Sequence, residues 1–250
     1  MKFYISKFVL FACLLVAPNV WAAISWDANS NSGAVTNSQN PSHSHTRGAV
    51  CANPVAVIRV TSQDSTPGTL SSVTYGGSGA TILSGTTHKR ADPSGTTVSR
   101  SIWIYKNPPS GPSTVQANFS EVMNTSIISV STYCGVDQTT TVGTAAEAEN
   151  ASGAASVTVS SASGELVVDV VVVDTGSDAS LTVDASQTER ANVNSASNHR
   201  HGGSEEAGAA SVVMSWALGG TRYWGSTGVA LKPATATATT QPLMLLGVGN

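Results

Sequence analysis

Asp174-Thr175-Gly176-Ser177 follows an unbroken run of valines, the setting in which aspartic proteases carry a catalytic carboxylate. That chemistry needs two carboxyls close enough to share a proton, so that one serves as acid and the other as base. The chain has no second Asp-Thr-Gly or Asp-Ser-Gly, and Asp178 interrupts the small-residue stretch that such a loop would continue into. Asp174 is therefore read as the first residue of a turn, with Gly176 taking the positive φ of a chain reversal. The same residues admit a calcium reading in which Asp174 and Asp178 are hard oxygen ligands. Calcium takes about six to eight oxygens, so Asp64, Asp137 or Asp184 would have to join them.

Two His-X-His pairs stand out, His43-Ser44-His45 and His199-Arg200-His201. On a strand, residues i and i+2 face the same way, so each pair could offer two imidazoles to one zinc or copper ion. Were the two segments neighbours, four histidines would complete a site, with Glu205 as the nearest general base in sequence. Both segments are rich in Ser, Asn and Gly, and the plainer expectation is exposed loops. Glu205-Glu206 fails as a glycosidase pair, because adjacent strand residues point to opposite faces. No Gly-X-Ser-X-Gly elbow, His-Glu-X-X-His helix or phosphate loop is present. The expectation is a non-enzyme without a cofactor. Its rival is a metal-dependent or aspartic hydrolase using the histidine pairs or Asp174, with structural calcium or zinc as the ion.

The elements that would carry these residues begin after a leader. Lys2 and Lys7 precede an apolar stretch from Phe8 to Ala17 and the small-residue site Val20-Trp21-Ala22, the pattern of a secretory signal peptide cleaved after Ala22. Export would remove Cys13 and leave Cys51 and Cys134, which allow one disulfide in an oxidising compartment. It would also take two of the 12 basic residues, against 15 acidic ones, deepening a formal net charge of −3. A mildly acidic chain is a poor partner for nucleic acid. Charged residues are 11% of the sequence, against about 25% in an average domain. Solvated faces are therefore expected to carry Ser and Thr hydroxyls.

From residue 24 to 232, short runs of Val, Ile, Thr, Tyr and Trp alternate with Gly, Pro, Asn and Asp, which is the signature of strands and turns. The clearest strands are 55–61, 70–75, 98–106, 114–119, 125–134, 156–160, 165–173, 211–218 and 225–231. Weaker ones are expected near 24–26, 43–47, 81–84, 143–148 and 189–193. In the stretch from Ser211 to Leu218, Val212, Met214 and Trp216 share the core face. From Glu165 to Asp174, valines occupy both faces, which marks a central strand covered on both sides. Asp169 interrupts that run and needs a partner. About a dozen strands without interleaved helices make an all-β antiparallel β-sandwich, jelly-roll-like, over residues 23–232. Residues 1–22 are the signal peptide. Residues 233–250 are an Ala/Thr-rich linker ending in Leu243-Met244-Leu245-Leu246, an apolar tail too short to cross a bilayer.

Val73-Thr-Tyr-Gly-Gly77, the stretch Ile102 to Gly111 with its Asn107-Pro-Pro-Ser-Gly turn, Gly135 to Gly143, Gly164 to Val170, Ser211 to Trp216, and Gly228 to Ala234 together resemble a β-sandwich domain of bacterial secreted and surface proteins. The resemblance spans nearly the whole chain after the leader, and its motifs are turns and strand ends. It implies a fold and an extracellular or periplasmic location, and it brings no catalytic residues with it. The two cysteines and the second histidine pair depart from the family's pattern. The expected role is adhesion, extracellular matrix or envelope structure, with polysaccharide, a surface protein or a second copy as partner. Sugar binding would use exposed aromatics from among Trp26, Tyr75, Trp103, Tyr223 and Trp224, most of which are expected in the core; Trp26, Tyr223 and Trp224 are the site candidates, Trp224 because Gly219-Gly220 and Gly225 place it near a loop tip.

Overall fold

The computed structural model describes residues 23–65, 68–83, 88–91, 97–174, 180–195 and 199–235, so the expected leader and the apolar tail lie outside the described residues. Among these residues every regular element is a strand and every strand pairing is antiparallel.

Residues up to Cys134 supply β1 (Ser25–Asn31), β2 (Val35–Ser38), β3 (Ser42–Arg47), β4 (Val55–Asp64), β5 (Leu70–Tyr75), β6 (Ser78–Gly79), β7 (Thr81–Ile82), β8 (His88–Ala91), β9 (Thr97–Lys106), β10 (Gly111–Phe119) and β11 (Met123–Cys134). They form an inner sheet of order β1-β11-β4-β9-β7, with β2 and β8 attached, and an outer sheet β3-β10-β5-β6. The rest of the chain gives β12 (Ala146–Asn150), β13 (Ala155–Ser160), β14 (Leu166–Asp174), β15 (Leu181–Val183), β16 (Thr188–Asn194), β17 (His199–Ala207), β18 (Ser211–Leu218) and β19 (Trp224–Leu231). Its inner sheet is β12-β19-β14-β17-β16 and its outer sheet β13-β18-β15.

Each half is a long hairpin wound across two sheets. In the first, β1 pairs β11, β3 pairs β10, β4 pairs β9 and β5 pairs β6. In the second, β12 pairs β19, β13 pairs β18 and β14 pairs β17. The nesting of the first three pairs is thus used twice, while the innermost differs: β16 pairs β17 in the inner sheet instead of β15. The expected antiparallel β-sandwich is built as four sheets, with the inner sheet of each half facing the other. The Gly135 to Gly143 stretch joins the two halves and lies against the end of β19 through the bridges Val136 to Pro233 and Val142 to Leu231.

Stacking explains which strands read as unbroken apolar runs. Ala56, Ile58 and Val60 of β4 pack against Val73, Tyr75 and Val115 of the outer sheet. The alternate residues Val55 and Val57 join Ile102 and Ile104 in facing Val168, Val170, Val229 and Leu231 of the other inner sheet. Beyond that sheet, Val171 and Val173 meet Trp216 and Trp224, while Val167 meets Val159 and Met214. Each such side chain contributes about 1.5–3 kcal/mol when fully buried. Outer strands keep the period of two: Val212, Met214 and Trp216 are buried, while Val213 between them is 52% exposed.

Cys51 and Cys134 are joined as a disulfide, with Cα atoms 5.1 Å apart. It fastens the loop before β4 to the end of β11, beside the start of β1, since Ser25 pairs with Cys134. Asn107 takes a positive φ of 52° and Gly111 one of 82° at the two ends of the Pro-Pro turn between β9 and β10. β17 is where the expectation fails, because a polar segment read as loop is a buried strand in the middle of a sheet.

Candidate functional site

The polar strand β17 holds its place because its alternation matches two different neighbours. His199, His201, Gly203 and Glu205 face the first half, while Gly202 and Ser204 face the second outer sheet. Glycine is needed at both central positions. A Cβ on Gly202 would stand 2.6 Å from Val171 and 3.0 Å from Trp216, and one on Gly203 would stand 2.6 Å from the Arg59 side chain.

Arg59, fully buried on β4, reaches across the interface into a break in the β14–β17 ladder. That ladder pairs Val168 with Glu205 and Val171 with Gly202, and skips the residues between. Arg59 Nε donates to the Asp169 carbonyl at 2.5 Å, Nη2 to the Ser204 carbonyl at 3.4 Å, and Nη1 to Ser131 Oγ at 2.8 Å. The guanidinium therefore replaces strand-to-strand bonds that its own insertion prevents, as buried backbone groups require. The Asp169 carboxylate points the other way. It accepts Ser204 N–H at 2.7 Å, Ser204 Oγ–H at 2.8 Å and Trp216 Nε1–H at 2.7 Å. Burial pushes its pKa up, against those three hydrogen bonds and the Arg59 charge.

The histidine pairs end on opposite sides of the first inner sheet. His45 lies between the two sheets of the first half, bonded through Nδ1 to Ser30 and through Nε2 to Thr132, each at 2.8 Å. His199 and His201 lie between the two inner sheets. His201 bonds Thr61 at 3.0 Å and Ser129 at 2.7 Å, and His199 Nε2 shares the Thr61 hydroxyl at 3.1 Å. The two pairs do not meet, since Thr132 and Ser129 of one strand hold them on different faces, and the plainer expectation of exposed loops fails as well, because His45, His199 and His201 are fully buried. Burial lowers every one of these rings: His45 to about 4, His199 to about 3, and His201 well below its ordinary value, with Arg59 adding to the effect. His43 is half-buried and is lowered by burial.

Among the described residues, one group of three or more His, Cys, Asp or Glu could share an ion, Asp27 with Cys51 and Cys134. The two sulfurs are bonded to each other and offer no thiolates. Three other carboxylates invoked for calcium accept backbone N–H groups: Asp64 that of Asn124 on the neighbouring strand β11, Asp137 those of Thr139 and Thr140 in its own turn, and Asp184 that of Ser186. Asp174 ends β14 opposite His199, its N–H bonded to the Tyr223 carbonyl at 2.8 Å. Asp178 and the rest of that turn lie outside the described residues.

Of the three aromatic candidates, Trp224 is a correction. It is 5% exposed, packed with Trp216 and Val173, with Nε1 donating to the Ser152 carbonyl. It opens β19 instead of capping a loop tip. Tyr223 is half-buried. Trp26 is different, with 43% of its surface exposed on the edge strand β1. Arg190 from β16 lies over its ring, the guanidinium carbon 4.6 Å from the ring centroid. Glu205 pairs with that guanidinium, and Asn29 Nδ2 donates to the Arg190 carbonyl at 2.7 Å. Behind Glu205 sits the buried Tyr133 hydroxyl, whose pKa burial raises, with the Arg59 charge opposing and Glu205 adding to the rise. The exposed tryptophan is thus the outer end of the polar seam that joins the two halves.

The chain matches no known protein family, no characterised protein and no solved structure. The site therefore stands on its geometry. A groove of about 440 Å³ lies at the far edge of the same inner sheet, lined by Thr81, Ile82, Leu83, Ile104, Lys106 and the run Thr139 to Val142. It has no aromatic ring, so Trp26 is the better platform for a flat apolar ligand face. Sequence reasoning named Trp26, and Glu205 only as a base beside the histidines, but not Arg190. The meeting of Arg190 with Trp26 depends on two edges, β16 and β1, that only the stacking brings together.

Proposed function

We propose that this chain is an exported, non-enzymatic β-sandwich module for adhesion, extracellular matrix or envelope structure, built from two jelly-roll-like halves, and that it holds polysaccharide at Trp26. The observation that carries the proposal is the exposed indole backed by a fixed guanidinium. Sugars offer one face of C–H groups and a rim of hydroxyls. An indole ring receives the first, and the neighbouring charged and amide groups of Arg190, Glu205 and Asn29 can bond the second. The ion pair with Glu205 holds Arg190 in place, so little side-chain freedom is lost when a ligand arrives.

Export is supported by the leader pattern and by the Cys51–Cys134 disulfide, a bond that persists in oxidising compartments. No helix among the described residues is long and apolar enough to cross a membrane. A non-catalytic role is supported by the use of the polar residues, since the buried His, Asp and Arg side chains act as partners within the interface and lie away from the exposed platform.

A glycan array with the wild-type protein, Trp26→Ala and Arg190→Ala tests this reading. The wild type is expected to retain a saccharide class that Trp26→Ala loses and Arg190→Ala holds more weakly, with thermal melting of Trp26→Ala unchanged. Absence of retained glycan, or equal retention by Trp26→Ala, would remove the sugar role.

A further inference from the structure

On the side of β17 away from the seam, three buried side chains stand in a line that the sugar reading does not use. Gln187, in the turn before β16, accepts Ser215 N–H on Oε1 at 2.7 Å. Its Nε2 donates to Ser204 Oγ at 2.6 Å, and Ser204 Oγ in turn donates to Asp169 Oδ1 at 2.8 Å. Gln187 is 7% exposed, and Ser204 and Asp169 are not exposed at all. The orientation is fixed by the donors. A backbone N–H can meet only the amide oxygen, so the amide nitrogen has to face Ser204, and the serine proton is then left for the carboxylate. Two further donors, Ser204 N–H and Trp216 Nε1–H, hold that carboxylate ready to accept it.

A hydroxyl bonded to a carboxylate base, next to a carbonyl whose oxygen already faces a backbone N–H, is the arrangement of acyl transfer. We propose that Ser204 and Gln187 react after folding to form an internal ester. Ser204 Oγ attacks Gln187 Cδ while its proton passes to Asp169, and the negative charge that develops on Oε1 is held by Ser215 N–H. The Cδ–Nε2 bond then breaks, and the nitrogen departs as ammonia with the proton that Asp169 returns. One hydroxyl and one amide become one ester and one ammonia, with no oxidant, metal or other reactant. The Gln187 side chain has to swing about its Cβ–Cγ bond, which carries Cδ toward Oγ and turns the face of the carbonyl to it, and the enforced proximity of the two groups takes the place of a second molecule's encounter. Burial excludes the water that would hydrolyse the product. The bond would fasten the turn before β16 to β17, beside the place where Arg59 opens the ladder.

The test is the mass of the intact, reduced protein. The expected result is a chain lighter than its sequence by one ammonia, about 17 Da. Cleavage after glutamate should then yield the Gln187 peptide, which ends at Glu189, joined to the Ser204 peptide, which ends at Glu205. Hydroxylamine should separate them. Ser204→Ala and Gln187→Ala should each restore the full mass and two separate peptides, and Asp169→Asn should leave Ser204 and Gln187 in place but unlinked. The wild-type measurement stands even where a variant does not fold. Full sequence mass with both peptides free, or an ammonia loss that maps to any other residue, overturns the proposal.

Discussion

Acidification from about pH 7.5 to about pH 5.5 should remove a few kcal/mol of folding stability, because three imidazoles inside the protein have to stay neutral. His45 is lowered to about 4, His199 to about 3, and His201 well below its ordinary value. In the unfolded chain each would return to about 6.5 and take up a proton as the pH falls past that point. The stability these groups confer is thus complete above about pH 6.5 and is lost as the pH falls toward their folded values. Each contributes on the order of 1 kcal/mol over the two units considered. The groups facing them are accounted for: Arg59 lowers His201 further, His43 lowers His45, and Asp27 raises His45 without reversing the shift. Asp169 acts in the opposite sense. Its raised pKa means that the folded state takes up a proton before the unfolded state does, which flattens the acid end of the curve. The assay is urea unfolding followed by tryptophan fluorescence at half-unit steps of pH. His45→Gln, which keeps a polar side chain beside Thr132 while removing the titration, should reduce the slope by about a third. A midpoint that does not move between about pH 7.5 and 5.5 would refute the claim that these rings are buried and neutral.

Other changes have equally defined outcomes. Replacing Cys51 and Cys134 by alanine should cost about 4.5 kcal/mol in urea unfolding, the chain-entropy value for a bond that spans 83 residues. Trp216→Phe removes one donor to the Asp169 carboxylate and should cost about 1.5–3 kcal/mol, read as a lower unfolding midpoint. Gly203→Ala drives a Cβ to 2.6 Å from the Arg59 side chain; a cost of about 1–3 kcal/mol is expected, with faster amide exchange in β14 and β17.

Much of the framework could be read from side-chain alternation. Leu70–Tyr75 and Ser211–Leu218 have the bounds that their pattern gave, and valines on both faces of β14 correctly marked a strand covered on both sides. His199–Ala207 was missed because its inward residues are His, Gly, Ser and Glu, types that normally meet water. The available signal was Gly202-Gly203, since paired glycines in a strand mark a place where other groups come close. Arg59 supplies that approach from more than a hundred residues away in sequence. The division into four sheets was equally hidden, because the two halves share a nesting of strand pairs and not an evident sequence repeat. For the same reason Trp26 could be named as an aromatic candidate while its partner Arg190 could not. Trp224 was misjudged because Gly219-Gly220 describe the loop before it, whereas its own register with Val173 puts it in the core.

Among the described tryptophans, Trp26 is exposed while Trp103, Trp216 and Trp224 are buried. Acrylamide quenching of the chain from residue 23 onward therefore reports chiefly on the proposed platform, and its change with added polysaccharide is the most direct measure of the functional claim. Saturable protection from quenching, absent in Trp26→Phe, is the predicted result. Quenching that stays the same at every saccharide concentration tried, in a protein whose melting is normal, would contradict it.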